Sequence, residues 1–592
     1  MSSKLCRLAA RAPPVRGLRP LPSGTSGAST PLVISCYAAR MRYRRDELRW
    51  NGWGKNDTRF DTHGRDHAVW KFVAEALGLS SLPDTPAATL AQLALAAPRL
   101  PEKARSALVG ATSEDRVKTD AFERALHAVG RSYHDLIRIR AGDVSMAPDA
   151  VVYPESEAET LAVLRVAEES GIAVVPFGGG SSVVGGVEGR APKGQPVVTL
   201  DTTRMARLLE IDATSMTARA EAGIYGPALE EELGRSGFTL GHFPQSFEYS
   251  TLGGWIAARG AGQLCNRYGA ADKWLVAARV TTPRGVLVTK PFPASAAGPS
   301  LNQLVCGSEG TLGVITEATF KVRRVAEKRV IVAFLYKEMA DGVRTIRRMV
   351  QEEVGAAMMR LSDRDETHFF GEFRRVLEPS RVQALAEKAL DVAGYEHKCV
   401  LMLAVEGDEE EVRHRVKRAR AIATKERGLF VGGSPGRSWW KRRFEMPFLR
   451  DPMLDHGLGV DTLETSTEWA NVPRLYAAVR EALGEALAKE GRKAIVMTHV
   501  SHSYLDGCSL YFTFLFARDD GRAVEQWKNA KEAASRAISE NGGTISHHHG
   551  VGVDHAHWMP AEKGAVGMQL LAAMKREVDP KGILNPGKLI PT

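Results

Sequence analysis

The chain predicts an α+β fold: a helical lead-in, a nucleotide-binding domain and a second sheet-bearing domain. Three observations carry that prediction. Three glycine-rich turns, PFGGGSS at 176–182, PQSFEYSTLGG at 244–254 and GSEGTLGVITEAT at 307–319, punctuate one region. A strand, helix, strand pattern empties into the first of them. After residue 327 the apolar runs begin afresh, which calls for a second sheet.

Taken in order, residues 1–45 form a basic arm with nine Lys or Arg and no acid before Asp46. The net charge of +9 belongs to that arm, because the remainder holds 70 basic and 70 acidic residues. A nucleic-acid function for the body is thereby disfavoured, and no nucleic-acid partner is expected. The arm has the composition of a targeting presequence, yet Met41 offers a second start, so residues 1–40 read equally as disordered or untranslated. No run of 18 apolar residues occurs. The six cysteines lie far apart without CxxC, which argues against a disulfide framework or a structural zinc.

Residues 46–145 read as helical, with HAVWKFVAEALGL and DAFERALHAVG as the clearest stretches. At Asp149 the texture changes. Residues 149–153 are apolar, Ser156 and Glu159 form a capping box, and Leu161, Leu164 and Ala167 recur at helical spacing. Gly171 then stops the helix before Ile172–Val175. Further strands are expected at 197–200, 217–222, 277–282 and 314–322, closing a domain at 146–326. RVIVAFLY, VLMLAVEG and SLYFTFLFA mark the second domain, 327–540. The charged stretches EGDEEEVRHRVKRARAIATKE and WKNAKEAASRAIS read as solvated faces.

The first glycine turn is no P-loop, since GK[ST] is missing, and no GxGxxG, since Val183 follows Ser182. Three such turns together point to one large phosphorylated cofactor other than a nicotinamide. The constellation resembles the flavoenzymes of the vanillyl-alcohol oxidase (PCMH) type, a two-subdomain FAD-binding domain with an α+β cap. That likeness implies FAD, non-covalent in the resting enzyme. By it, Pro176, Phe177, Gly178, Gly179, Gly180, Ser181 and Ser182 cradle the pyrophosphate. Pro244, Gln245, Ser246, Phe247, Glu248, Tyr249 and Ser250 line the flavin with Ala257, Ala258, Arg259 and Gly260. Ser308, Glu309, Gly310, Thr311, Leu312, Gly313 and Val314 close the site, and residues 541–592, with DPKGILNPGKL, return to it.

Hydroxy-acid dehydrogenases of this group carry GHxGDGNxH and SGEHGxG stretches that bind a metal. Here SHSYLDGCSLYF puts Tyr511 where the last His would fall, and SHHHGVG puts His548 in place of Glu. Losing a carboxylate and a ligand dismantles that metal site, so none is expected. A rival zinc reading joins His547, His548 and His549 to His499 or His502; it is disfavoured because adjacent side chains diverge. His555 and His557 are expected at the surface or behind the site.

RWNGWGKND (49–57), PQSFEYSTLGGW, MMRLSD (358–363), FLRD (448–451), LETSTEW (463–469), LYFTF (510–514) and SHHHGVG then resemble the alkyldihydroxyacetonephosphate synthases, apart from the ending NPGKLIPT, which is closer to the dehydrogenases. The resemblance implies exchange of the acyl chain of 1-acyl-dihydroxyacetone phosphate for a long-chain fatty alcohol through a flavin N5 adduct, without net redox. It implies Tyr511 as proton acceptor and donor, assisted by His547, His548, His549 and Arg360, with His548 in the most direct role. Arg360 and Arg450 are the expected anion binders, Arg450 toward substrate. Without the resemblance, Tyr511 would read as a core aromatic on an alternating strand. RSWWKRR (437–443) reads as solvated or membrane-facing. A homodimer in peripheral contact with a membrane is expected, peroxisomal in a eukaryote and cytoplasmic in a bacterium, although no terminal SKL or clear RLx5HL signal is present. The competing readings are an FAD-linked D-2-hydroxy-acid dehydrogenase and a flavin fold retained as a binding module.

Overall fold

A computed structural model describes residues 44–192, 194–488 and 493–590. The expected arm therefore lies outside the described residues except for Arg44 and Arg45. Arg45 does not behave as part of a loose arm: it is ion-paired to the buried Asp201 and donates to the Gly178 carbonyl at 2.8 Å and to the Tyr225 hydroxyl at 3.0 Å.

The nucleotide region contains two sheets. In the first, the order is Val117–Lys118 (β1), Ala150–Val152 (β2), Val197–Asp201 (β4) and Ala173–Phe177 (β3), with β2, β4 and β3 parallel. The parallel strands are almost fully buried, as continuous Val-rich runs require. β1 comes from the stretch read as purely helical, because Val117 finds an antiparallel partner in Val152. The C-terminal tail extends the other edge, where Leu584 bridges Val174. Ser156 caps the helix Glu157–Ser170 by accepting from the Glu159 N–H. The expected capping box is only half made, since the Glu159 carboxylate takes the Glu155 N–H at 2.8 Å and Arg116 at 2.6 Å.

Leu208–Asp212 (β5), Thr217–Glu221 (β6), Leu275–Thr282 (β8), Gly285–Val288 (β9) and Val314–Lys321 (β10) form an antiparallel sheet in the order β5-β6-β10-β8-β9. The short pair Phe238–Thr239 (β7) and Arg323–Arg324 (β11) flanks it.

The cap is a seven-stranded antiparallel sheet made of Lys328–Tyr336 (β12), Met358–Ser362 (β13), Cys399–Gly407 (β14), Leu429–Gly432 (β15), Leu458–Glu468 (β16), Ala494–Ser503 (β17) and Gly507–Ala517 (β18). Strand alternation assigns its two faces. Leu510, Phe512, Phe514 and Phe516 pack with Val479, Leu483, Trp527 and Ala534 of the covering helices Val472–Ala488 and Ala523–Glu540. Tyr511, Thr513 and Leu515, one residue out of phase, face a cavity against the nucleotide domain. The same phase puts Arg360 and Ser362 of β13 and His499 and Ser501 of β17 on the cavity side. The WKNAKEAASRAIS stretch is not simply a solvated face, because Lys531 is buried and donates to the Thr462 carbonyl at 2.9 Å.

Candidate active site

The glycine turns form one wall of this cavity of about 750 Å³. All seven residues of Pro176–Ser182 line it, with Pro244, Gln245, Ser246, Ser250, Ala257, Ala258, Gly260, Glu309, Gly310, Gly313 and Val314. The first turn needs glycine for close approach: a Cβ on Gly179 would stand 1.9 Å from the Tyr249 carbonyl oxygen, and one on Gly178 2.3 Å from Thr251 Oγ1.

Seven residues expected on that wall are elsewhere. Phe247–Tyr249 is a 3-10 turn that points its side chains away: Phe247 packs in the core against Phe444, Tyr249 meets Trp53 and Phe448 edge-on, and Glu248 is half-buried, desolvation pushing its carboxyl up to about 7. Arg259 donates to the Cys306 and Gln303 carbonyls. Ser308 is buried behind the wall, Thr311 closes its own turn onto the Ser308 carbonyl at 2.7 Å, and Leu312 stands half-buried off the wall.

On the cap wall, Tyr511 lies over His499, ring centroids 4.8 Å apart and nearly parallel. Burial pushes its phenol up to about 12. His499 Nδ1 is 2.9 Å from Glu366 Oε1 and 3.0 Å from Arg360 Nη2. Arg360 was expected to bind anions, but its guanidinium is committed to Glu366, Ser362 and His499, and so it holds the platform under Tyr511. Burial works against the Glu366 carboxylate, yet Arg360 and His499 together hold it well below the carboxylate range.

Glu464 pairs in register with Tyr511 across β16 and β18. Its buried carboxylate accepts the backbone N–H groups of His547, His548 and His549 at 2.6, 3.0 and 2.9 Å and the Ser546 hydroxyl at 3.0 Å. The histidine turn is thus hung from one carboxylate, which the histidine charges hold well below its usual range despite burial. Burial, then repulsion from His548, pulls His547 down to about 4 and His549 down to about 3. His548 and His549 reach the cavity wall; His547 turns behind it to the Tyr504 hydroxyl at 2.5 Å. The expected divergence of adjacent side chains fails here: His547 and His548 place their Nδ1 atoms 2.9 Å apart, and with His502 they offer nitrogens within 4.8 Å of one another. His502 Nδ1 meets Cys265 Sγ at 2.7 Å. His555 is buried, and His557 is exposed beside Glu532.

Arg450, on the helix Met446–Asp455, lines the cavity, donates to the Arg131 carbonyl and has no acidic partner among the described residues. Phe369, Phe373 and Leu377, spaced four apart on the helix Arg364–Leu377, join Phe60, Leu449 and Met453 in an apolar branch. RSWWKRR is not a solvated stretch: Trp439 lines the cavity, and Trp440 lies between the Arg329 and Arg443 guanidiniums at 4.2 and 3.8 Å. Burial pulls Arg443 down to about 9.

Two family models match this architecture, "FAD binding domain" over residues 148–290 and "FAD linked oxidases, C-terminal domain" over 325–589. Alkyldihydroxyacetonephosphate synthase of Trypanosoma brucei brucei is 32% identical over 577 residues, spanning 92% of this chain and 93% of its own. The Dictyostelium discoideum synthase is 32% identical over 580 residues, spanning 92% and 94%. The chain belongs to the alkyldihydroxyacetonephosphate synthase family. A solved structure with that title superposes with a TM-score of 0.79 at 29% identity, covering 92% of this chain and 99% of the other.

FAD is the cofactor of this family member, in a PCMH-type binding domain, and the residues present fit it. The glycine cradle leaves backbone exposed where a Cβ would intrude, and behind its Gly260 the His242 ring has a nitrogen without a partner among the described residues. The Trp274 indole donates to His242 Nδ1 at 3.2 Å, which leaves the proton of the neutral ring on Nε2, buried beside Gly260. Sequence reasoning missed His242, Glu366 and Glu464 as site residues. Only Glu464 had a signal, as the second residue of LETSTEW, and His499 had been weighed solely as a zinc ligand.

Proposed function

We propose that the protein is an alkylglycerone-phosphate synthase: it takes 1-acyl-dihydroxyacetone phosphate and a long-chain fatty alcohol and gives 1-alkyl-dihydroxyacetone phosphate and a fatty acid. One observation carries the reading. A phenol stacked on an imidazole, with the histidine turn behind it, faces the glycine wall at the root of an apolar branch. Bound FAD supplies an electron-rich ring able to react at the carbon beside the ketone. Tyr511, protonated near neutrality, takes the substrate proton as it passes its own to His548, ring centroid 6.2 Å away, and the reverse returns it, while His549 at 5.5 Å stays a neutral neighbour. Arg450 faces the substrate phosphate, and the Phe369 branch takes the chain. A hydroxy-acid dehydrogenase is less supported, since neither the curated synthases nor the tyrosine at 511 matches it.

The same reading includes peripheral contact with a membrane, where both long-chain substrates reside. No helix among the described residues is long and apolar enough to cross one. The helix Arg381–Val392 follows the chain-binding helix and buries no residue, and its Val382, Leu385 and Val392 are 79%, 71% and 85% exposed. Homodimer formation, with a peroxisomal site in a eukaryote or a cytoplasmic one in a bacterium, completes the proposal. Labelled hexadecanol with palmitoyl-dihydroxyacetone phosphate must yield labelled ether; bleaching of the flavin by D-lactate or glycolate, with no ether formed, overturns it. Serine at 382, 385 and 392 must weaken liposome flotation.

A further inference from the structure

The segment RWNGWGKND has no part in the reaction as derived, yet it reaches the cavity. Arg49 donates to Asp451 Oδ2 at 2.7 Å, and the Trp53 backbone N–H donates to the same oxygen at 2.8 Å. Gly52 is forced by this contact, since a Cβ there would lie 2.4 Å from Asp451 Oδ2. The clasp holds Trp53 edge-on to Tyr249 at 5.4 Å, on the cavity wall and only 6% exposed. Its indole Nε1–H is buried without any partner among the described residues. An orphaned buried donor is costly unless a ligand satisfies it.

The surroundings specify the ligand's charge. Arg49, Arg131 and Arg450 converge here, Asp451 is taken by Arg49 and the Trp53 backbone, Asp135 acts on Arg131, and Arg450 has no acidic partner among the described residues. Arg131 is also tied to the cofactor cradle, its N–H donating to the Ser182 carbonyl at 2.6 Å. We propose that Trp53 is a binding residue whose indole N–H donates to a phosphoryl oxygen in the cavity. Two groups offer that chemistry, the cofactor pyrophosphate and the phosphate of the substrate; the second source rests on the function proposed above.

Trp53→Phe keeps the ring and removes the donor. If the oxygen is the cofactor's, FAD binding to the apoprotein, followed by flavin absorbance and fluorescence, weakens about tenfold. If it is the substrate's, FAD binding holds while KM for the acyl substrate rises about tenfold with kcat within about twofold. Both quantities unchanged within about twofold overturn the proposal. Should the variant not fold, wild-type protein labelled with 15N-tryptophan decides: FAD added to apoprotein, or dihydroxyacetone phosphate added to holoenzyme, must move one indole N–H signal downfield. No indole signal moving with either ligand overturns the proposal. The cofactor and dihydroxyacetone phosphate titrations need no turnover, so they stand even if the ether-forming assay fails.

Discussion

Two histidine clusters flank the cofactor cavity, and burial has opposite outcomes in them. His134 meets Glu188 at 3.0 Å, Asp554 at 3.3 Å and Asp135 at 3.7 Å, and its ring stacks on Trp527. Burial alone would lower it, but the Glu188 hydrogen bond and the surrounding carboxylates hold it up at about 9. His547 and His549 keep slightly more exposure than His134, yet for them burial wins. The difference lies in what the carboxylate is used for. Around His134 the acid groups face the ring, whereas Glu464 gives its lone pairs first to three backbone N–H groups and stands no nearer than 3.5 Å to the rings, so His547 and His549 stay low. One cluster is a fixed ionic lock, and the other is the turn we propose to serve the proton of Tyr511; burial by itself does not distinguish them.

The comparison breaks most visibly at the group the histidine turn serves. Tyr511→Phe preserves the stack on His499 and removes the exchangeable proton. Turnover should fall about 10³-fold while the protein stays yellow, checked by ether formation and FAD content. Retained turnover would leave the histidine turn with nothing to relay.

Glu464→Gln tests the support itself. An amide cannot accept on both arms, so one NH2 meets backbone donors and the turn loses both its anchor and its negative charge. Turnover should fall about 10²-fold at unchanged FAD content, and Glu464→Asp should recover part of it. Loss of flavin together with activity would instead make Glu464 a folding residue.

Glu464 also marks the limit of what the sequence discloses. The glycine turns were legible because close backbone approach demands glycine locally, and the strands β12, β14 and β18 because period and apolar runs are local too. The cap site was not. Its members come from β13, β16, β17, β18 and the turn at 547–549, and which face each residue takes depends on register between strands far apart in the chain. Arg360 looked like a free cation because Glu366, its partner, gives no local sign of facing it. The arm boundary failed for the same reason, since Arg45 is fixed by Asp201 across the fold.

The ionic lock predicts a pH effect on stability. The folded His134 value of about 9 exceeds the unfolded value of about 6.5, so its contribution is full below about 6.5 and is lost as pH rises through 9. Asp554, held up at about 7 by burial, and Lys588, lowered to about 7, titrate nearby, so the useful quantity is the gap between wild type and His134→Gln. The Tm gap should be about 2–4 °C at pH 6 and shrink toward zero by pH 10, read by thermal melts. A gap independent of pH would mean that His134 acts by packing on Trp527 alone.

The smallest effect is expected where the two kinds of cluster differ least. Cys265 Sγ meets His502 Nδ1, and burial pushes that thiol up to about 12, so it stays neutral at any working pH. It can orient the ring, whose far edge stacks on His547 at 5.0 Å, but it cannot charge it. Cys265→Ala should therefore cost about twofold to fivefold in kcat, the scale of one neutral hydrogen bond. The pH profile should not move, and Cys265→Ser should restore the rate. A shifted profile would show that the thiol holds a charge on His502, and the histidine-turn cluster would then contain a lock of its own.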